Sequence, residues 1–74
     1  MTNFYALFKF KRTGTNYICT HVCYDKEQCE IMGESHERKW TDREFVQVIE
    51  ARSYKHAEEI AIKNGWISPR KIDT

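Results

Sequence analysis

The 74-residue chain carries twelve Lys and Arg against eleven Asp and Glu, for a formal charge of +1, with 41% hydrophobic and 14% aromatic residues. A chain this short buries about 60–65% of its unfolded surface, which fits one small core and a single domain over residues 1–74. The aromatic content argues against intrinsic disorder, and the few glycines and single proline exclude collagen-like and low-complexity classes. Near-neutral charge argues against a chain that coats nucleic acid or an anionic membrane.

Residues 3–11 read as a strand, with Phe4, Ala6, Phe8 and Phe10 on one face and Tyr5, Leu7, Lys9 and Lys11 on the other. The apolar run Phe4–Phe8, stopped by Lys9, is too short for a signal peptide or a membrane span, and Thr2 stands where N-myristoylation needs glycine. A cytoplasmic protein with no membrane partner is therefore expected. The odd count of Cys19, Cys23 and Cys29 agrees, since it predicts free thiols.

Thr13-Gly14-Thr15-Asn16 is a turn cluster, and Tyr17–Tyr24 is a second strand, so the two strands form a hairpin. Loop parity decides which residues face which way. An odd loop places Ile18, Thr20, Val22 and Tyr24 on the Phe face; an even loop places Cys19, His21 and Cys23 there. The odd loop is preferred because it groups the larger apolar side chains.

Asp25 and Gln28 form a capping box for a short helix, Lys26–Met32, that Gly33 would stop; Cys29–Met32 also fits a strand. Residues 34–43 read as a polar excursion holding Trp40. Phe45–Ala51 is a third strand, in which Val46 and Val48 oppose Phe45, Ile49 and Ala51. Ser53 caps a helix from Tyr54 to about Asn64, with Gly65 as the C-terminal cap. Its apolar face is Tyr54, Ala57, Ile60, Ala61 and Asn64. Trp66 and Ile67 should fold back on the core, Pro69 bars continuation, and Arg70–Thr74 reads as a tail or short edge segment.

The stretch from Val48 to Ala61, a strand leading through Ala51-Arg52-Ser53 into a helix with Ala57 and Ala61 at packing positions, resembles the closing unit of many small phage and mobile-element proteins. Some anti-CRISPR proteins are similar in size and in that unit. The resemblance implies a small α+β module that acts by binding, and it carries over no functional residue.

Several chemistries were weighed on spacing. Cys19, His21 and Cys23, with Cys29 and His36 beyond, are metal-ligand types. Three alternate residues of one strand diverge from a common centre, so no metal site and no cofactor is expected. Cys19 and Cys23 flank His21 without an oxyanion hole, and no acid pair or phosphate loop stands out. No catalytic residue is assigned and the chain is not expected to be an enzyme.

The predicted fold class is α+β: three or four antiparallel strands, with the 54–64 helix packed on the Phe4/Phe8/Phe10 face. That leaves Tyr5, Leu7, Tyr17, His21 and Val48 on an apolar face with no second strong helix, covered either by the middle segment or by a partner chain. The expected function is a non-enzymatic protein-binding module, a phage or mobile-element accessory protein inhibiting a host or defence complex, with self-association as a homodimer also open. The alternative is a small nucleic-acid-associated regulator binding DNA or RNA through Lys9, Lys11 and Arg12 at the hairpin tip. There Tyr5 and Tyr17 can stack, and Arg38, Lys39, Arg43, Arg70 and Lys71 add charge.

Overall fold

Strand β1, Asn3–Phe10, is the centre of the molecule, and its residues 5–8 are all buried. The computed structural model describes residues 2–67. Strand β2 is Asn16–Ile18, helix α1 is Lys26–Lys39, strand β3 is Arg43–Ala51 and helix α2 is Tyr54–Lys63. The sheet order is β2-β1-β3, with both pairings antiparallel. The architecture is α+β, as the alternating strands and the capped C-terminal helix predict. The expectations for Pro69 and for the tail 70–74 lie outside the described residues.

A strand apolar on both sides needs a layer over each. Tyr5 and Leu7 point into a core with Ile18, Ile49, Ala51, Ala57 and Ala61. Ala6 and Phe8 point the other way, into a core with Cys23 and Cys29, flanked by Met32 and Phe45. Helix α2 therefore lies on the Tyr5/Leu7 face, and α1 lies on the Phe face. This corrects the expected placement of α2. Ala57 and Ala61 let its axis approach the small surface around Ala51, whereas the Phe face needs the contours offered by α1 (Cys29, Met32 and Gly33).

The hairpin loop is even, not odd. Phe10 N–H donates to the Thr15 carbonyl at 2.9 Å, and Gly14, at φ 73°, donates to the Phe10 carbonyl. Leu7 then pairs with Ile18 and Phe8 with Tyr17. Cys19 and Cys23 thus join the Phe face, and Ile18 joins the Leu7 face. Grouping by apolar size chose the wrong parity because both faces are interior. Strand β2 is also shorter than expected: after Cys19, whose N–H bonds to the Ala6 carbonyl, the chain leaves the ladder and rejoins it at the Phe4–Cys23 bridge.

Strand β3 carries a bulge. Leu7 pairs with Gln47 but Phe8 pairs with Phe45, so Val46 is the extra residue. One extra residue reverses side-chain parity. Phe45 and Val48 accordingly share the α1 face, while Ile49 and Ala51 share the α2 face. The strict alternation expected for residues 45–51 fails at this point. The bulge also blunts the outer edge of β3, where Phe45 N–H is taken by the Glu37 carboxylate at 2.9 Å.

Helix α1 begins where the capping box places it, with the Asp25 carboxylate accepting from Gln28 N–H. It does not stop at Gly33. Gly33 is buried mid-helix, and a Cβ there would lie 2.6 Å from Phe45 Cε1 and 2.8 Å from Cγ. This glycine is a close-approach residue, not a cap, and the helix runs two further turns to Lys39. Helix α2 keeps its predicted ends. Ser53 Oγ accepts from His56 N–H, and His56 Nδ1 accepts in return from Arg52 N–H. At the other end Gly65, at φ 75°, closes a Schellman turn through Trp66 N–H to the Ala61 carbonyl. Trp66 and Ile67 fold back onto the α2-side core as expected.

Both faces of β1 should respond as core. Phe8→Ala should cost about 3–5 kcal/mol and Leu7→Ala about 2–5 kcal/mol in denaturant unfolding. Loss confined to one of them would mean that one layer is not formed. At Gly33, alanine gains about 1 kcal/mol of helix propensity but meets the Phe45 ring, at an overpacking cost of about 1–3 kcal/mol. Gly33→Ala should be net destabilising in the wild type and stabilising in a Phe45→Ala background, where the clashing ring atoms are gone, a coupling a double-mutant cycle reads directly.

Candidate binding site at the Trp40 end of the sheet

The five residues expected to form a partner surface are not brought together. Tyr5 is 4% exposed and Leu7 0%, both beneath α2, with the Tyr5 ring edge-on to Tyr54 at 6.2 Å. Tyr17 and Val48 are half-buried on the opposite, α1-covered face. His21 is exposed, in the segment that leaves the ladder between Cys19 and Cys23. The sheet faces are interior layers: α2 covers Tyr5 and Leu7, and the 14-residue α1 covers the side of Phe8, Tyr17 and Val48.

The structure instead assembles a site at the end of the sheet where the hairpin turn meets the α1–β3 connection. Lys11 N–H donates to the Asp42 carbonyl at 3.0 Å and ties the two turns together. Trp40 caps α1, its N–H bonded to the His36 carbonyl at 2.7 Å, and its own carbonyl accepts from Arg43 N–H. A column of rings lies beneath it. His36 stacks on Phe8 at 5.9 Å, Phe8 on Tyr17 at 5.6 Å, and Tyr17 on Phe10 at 4.8 Å. The Arg43 guanidinium continues the column, 4.7 Å from the Phe10 centroid and 5.2 Å from that of Trp40. It also donates to the Tyr17 hydroxyl at 3.0 Å.

Arg43 is held on its other side by Asp42, with both nitrogens Nε and Nη2 reaching the carboxylate. The hydrogen bond from Arg43 holds the Asp42 carboxyl below its ordinary range, and the Asp42 contact raises the Arg43 guanidinium above its own. This is the only ion pair among the described residues. Of the other acids of this end, Glu37 takes the Phe45 N–H, and Glu44 is the register partner of Lys9 across the sheet. Lys11, Arg12, Arg38 and Lys39 are exposed and form no ion pair among the described residues. Of the expected basic tip, Lys11 and Arg12 thus join this site, whereas Lys9 lies half-buried on β1 opposite Glu44.

Trp40 is 47% exposed and lines a cleft of about 460 Å³ with Tyr17, Cys19, Thr20, His36 and Arg43. From the sequence alone Trp40 falls in a polar excursion, and Arg38, Lys39 and Arg43 read only as added basic positions. The available signal was Arg38-Lys39-Trp40, two cations and an aromatic at a helix C-terminus. A second cleft, about 560 Å³, runs between β2 and α2 past Lys55, Glu58 and Glu59.

The three thiols are free, and all lie in or against the α1-side core. Burial first, and then Cys23 beside it, pushes the Cys29 thiol up to about 12. A thiol so raised stays protonated at neutral pH and is a poor nucleophile. Among the described residues no group of three or more His, Cys, Asp or Glu is placed to hold a metal ion, and no helix is long and apolar enough to cross a membrane.

Comparison with protein-family models, with curated proteins and with solved structures returns no match.

The thiols give a direct check on the α1-side core. A maleimide should label Cys19 well before Cys23 or Cys29 in the native protein. Because the folded Cys29 holds its proton above the ordinary value of 9.0, the fold binds more protons than the unfolded chain between pH 9 and about 12. Its contribution is therefore complete below about pH 9 and is lost as pH rises through that window, by up to ~1.4 kcal/mol per pH unit. Cys29→Ala should flatten that alkaline limb relative to wild type in denaturant melts.

Proposed function

We propose that this chain is a non-enzymatic binding module, an accessory protein of the phage or mobile-element kind that occupies a host or defence complex, and that it binds through the Trp40 end. The observation that carries this reading is a half-exposed Trp40 set on a braced aromatic–Arg43 column, at an end that carries four exposed cations with no ion pair among the described residues. Tryptophan and arginine are the side chains most enriched where binding energy concentrates. The site is also pre-organised. Arg43 is fixed by Asp42 and Tyr17, so little side-chain entropy remains to be lost on contact. Its net positive charge, in a chain that is near neutral overall, selects an anionic surface and speeds encounter with it.

The former candidate face supports the same choice by elimination. With Tyr5 and Leu7 beneath α2, the sheet faces are used internally. The reading as a nucleic-acid-associated regulator gains one specific observation, because the hairpin turn that carries Lys11 and Arg12 is tied by Lys11 N–H to the Asp42 carbonyl, two residues past Trp40.

Trp40→Ala and the double change Arg38→Ala with Lys39→Ala test the site. Trp40→Ala should retain a cooperative melt, since the ring is half outside the core, and should weaken capture of the host complex on the immobilised protein by roughly tenfold or more. Full-strength capture by a folded Trp40→Ala protein would move the binding surface elsewhere.

A further inference from the structure

We infer that the anionic partner taken at the Trp40 end is single-stranded nucleic acid, one base stacking on the open face of the Trp40 indole while neighbouring phosphates lie on Lys11, Arg12 and Lys39. This rests on the reading of that end as the binding surface, and it names the chemistry of the ligand there.

The geometry of the column carries it. His36, Phe8, Tyr17, Phe10, Arg43 and Trp40 form a continuous series of flat groups. Arg43 covers one face of the indole. The indole is nonetheless 47% exposed, so the series ends on an open aromatic surface. The natural continuation is another flat, polarisable ring, and every nucleobase has one. Only an unpaired base can offer its face, which selects single strands over duplex. Beside the indole, the cleft lined by Thr20 and His36 supplies polar groups at the position of a base edge. Phosphates on either side of that base meet the exposed cations of the hairpin turn and of the last turn of α1. Three acids of this end, Glu37, Asp42 and Glu44, stand against five cations, Lys11, Arg12, Arg38, Lys39 and Arg43, so the balance of charge there is positive.

An acidic protein surface fits less well. A protein hot spot sits inside a ring of apolar contacts that excludes water, and Lys is depleted from such interfaces. Here Trp40 is flanked in the chain by Arg38, Lys39, Thr41 and Asp42; of the other large exposed apolar side chains, Val46 lies at the β3 bulge, and Tyr24, Ile31 and Ile62 belong to other parts of the fold.

The test uses labelled oligo-dT and oligo-U single strands, and the matching duplex, with indole emission and anisotropy as readouts. Both single strands, or one of the two, should bind at low salt and quench the indole, with the duplex weaker; the two strands distinguish DNA from RNA as the source. Trp40→Ala should weaken binding roughly tenfold or more, while Trp40→Phe, which keeps a stacking face, retains most of it. Lys11→Ala and Arg12→Ala should each lower the slope of log K against log salt by about 0.7, and Lys63→Ala on α2 should leave it unchanged. Absence of low-salt binding overturns the inference, as does equal binding by a folded Trp40→Ala protein or a duplex bound as tightly as the single strands. If single strands do not bind but Trp40-dependent capture of a complex survives nuclease treatment, the ligand is an acidic protein surface and the reading of the site stands. If Trp40→Ala changes neither oligonucleotide binding nor capture, both fall.

Discussion

Everything in this fold follows from a central strand that is apolar on both faces. Residues 5–8 of β1 are buried without interruption, so water must be excluded from two sides of one thin sheet. A chain of 74 residues meets that demand only by spending both helices on it. The result, among the described residues, is a layer of helix on each side of three strands. Surfaces available for binding are therefore confined to the ends of the sheet, to its edges and to the outer sides of the helices.

Phe45 is where the two layers are reconciled. The bulge at Val46 turns Phe45 toward α1 while leaving Ile49 and Ala51 under α2. The ring then needs room, and Gly33 supplies it by bringing the helix backbone against it. Glu37, one turn further along α1, closes the same spot by accepting from Phe45 N–H. A strand irregularity, a mid-helix glycine and a carboxylate are thus one packing solution. Each is unfavourable or neutral by local propensity, and each is explained by the others.

The same packing builds the Trp40 end. Because α1 continues past Gly33, its last turn reaches the hairpin tip, where Lys11 N–H and the Asp42 carbonyl lock the two connections together. Arg43 is drawn inward among Phe10, Tyr17 and Trp40 and its charge is answered by Asp42. It braces the site, while Lys11, Arg12, Arg38 and Lys39 provide the outward charge.

Local signals in the sequence determined the strands of β1 and β3, the N-caps at Asp25 and Ser53, the apolar face of α2 and its Gly65 end, because each depends on residues within a few positions of one another. The basic character of the hairpin tip at Lys11 and Arg12 was legible for the same reason. Parity was not. Whether Cys19 or Ile18 shares a face with Phe8 depends on one residue of loop length, and both choices bury apolar groups when both faces are interior. Nor could Gly33 declare itself a packing residue before Phe45 stood opposite it, or Trp40 a half-exposed helix cap before α1 was known to run to Lys39. Those assignments, and with them the burial of Tyr5 and Leu7, belong to the tertiary structure, because they are set by what lies across the sheet and not by what lies next in the chain.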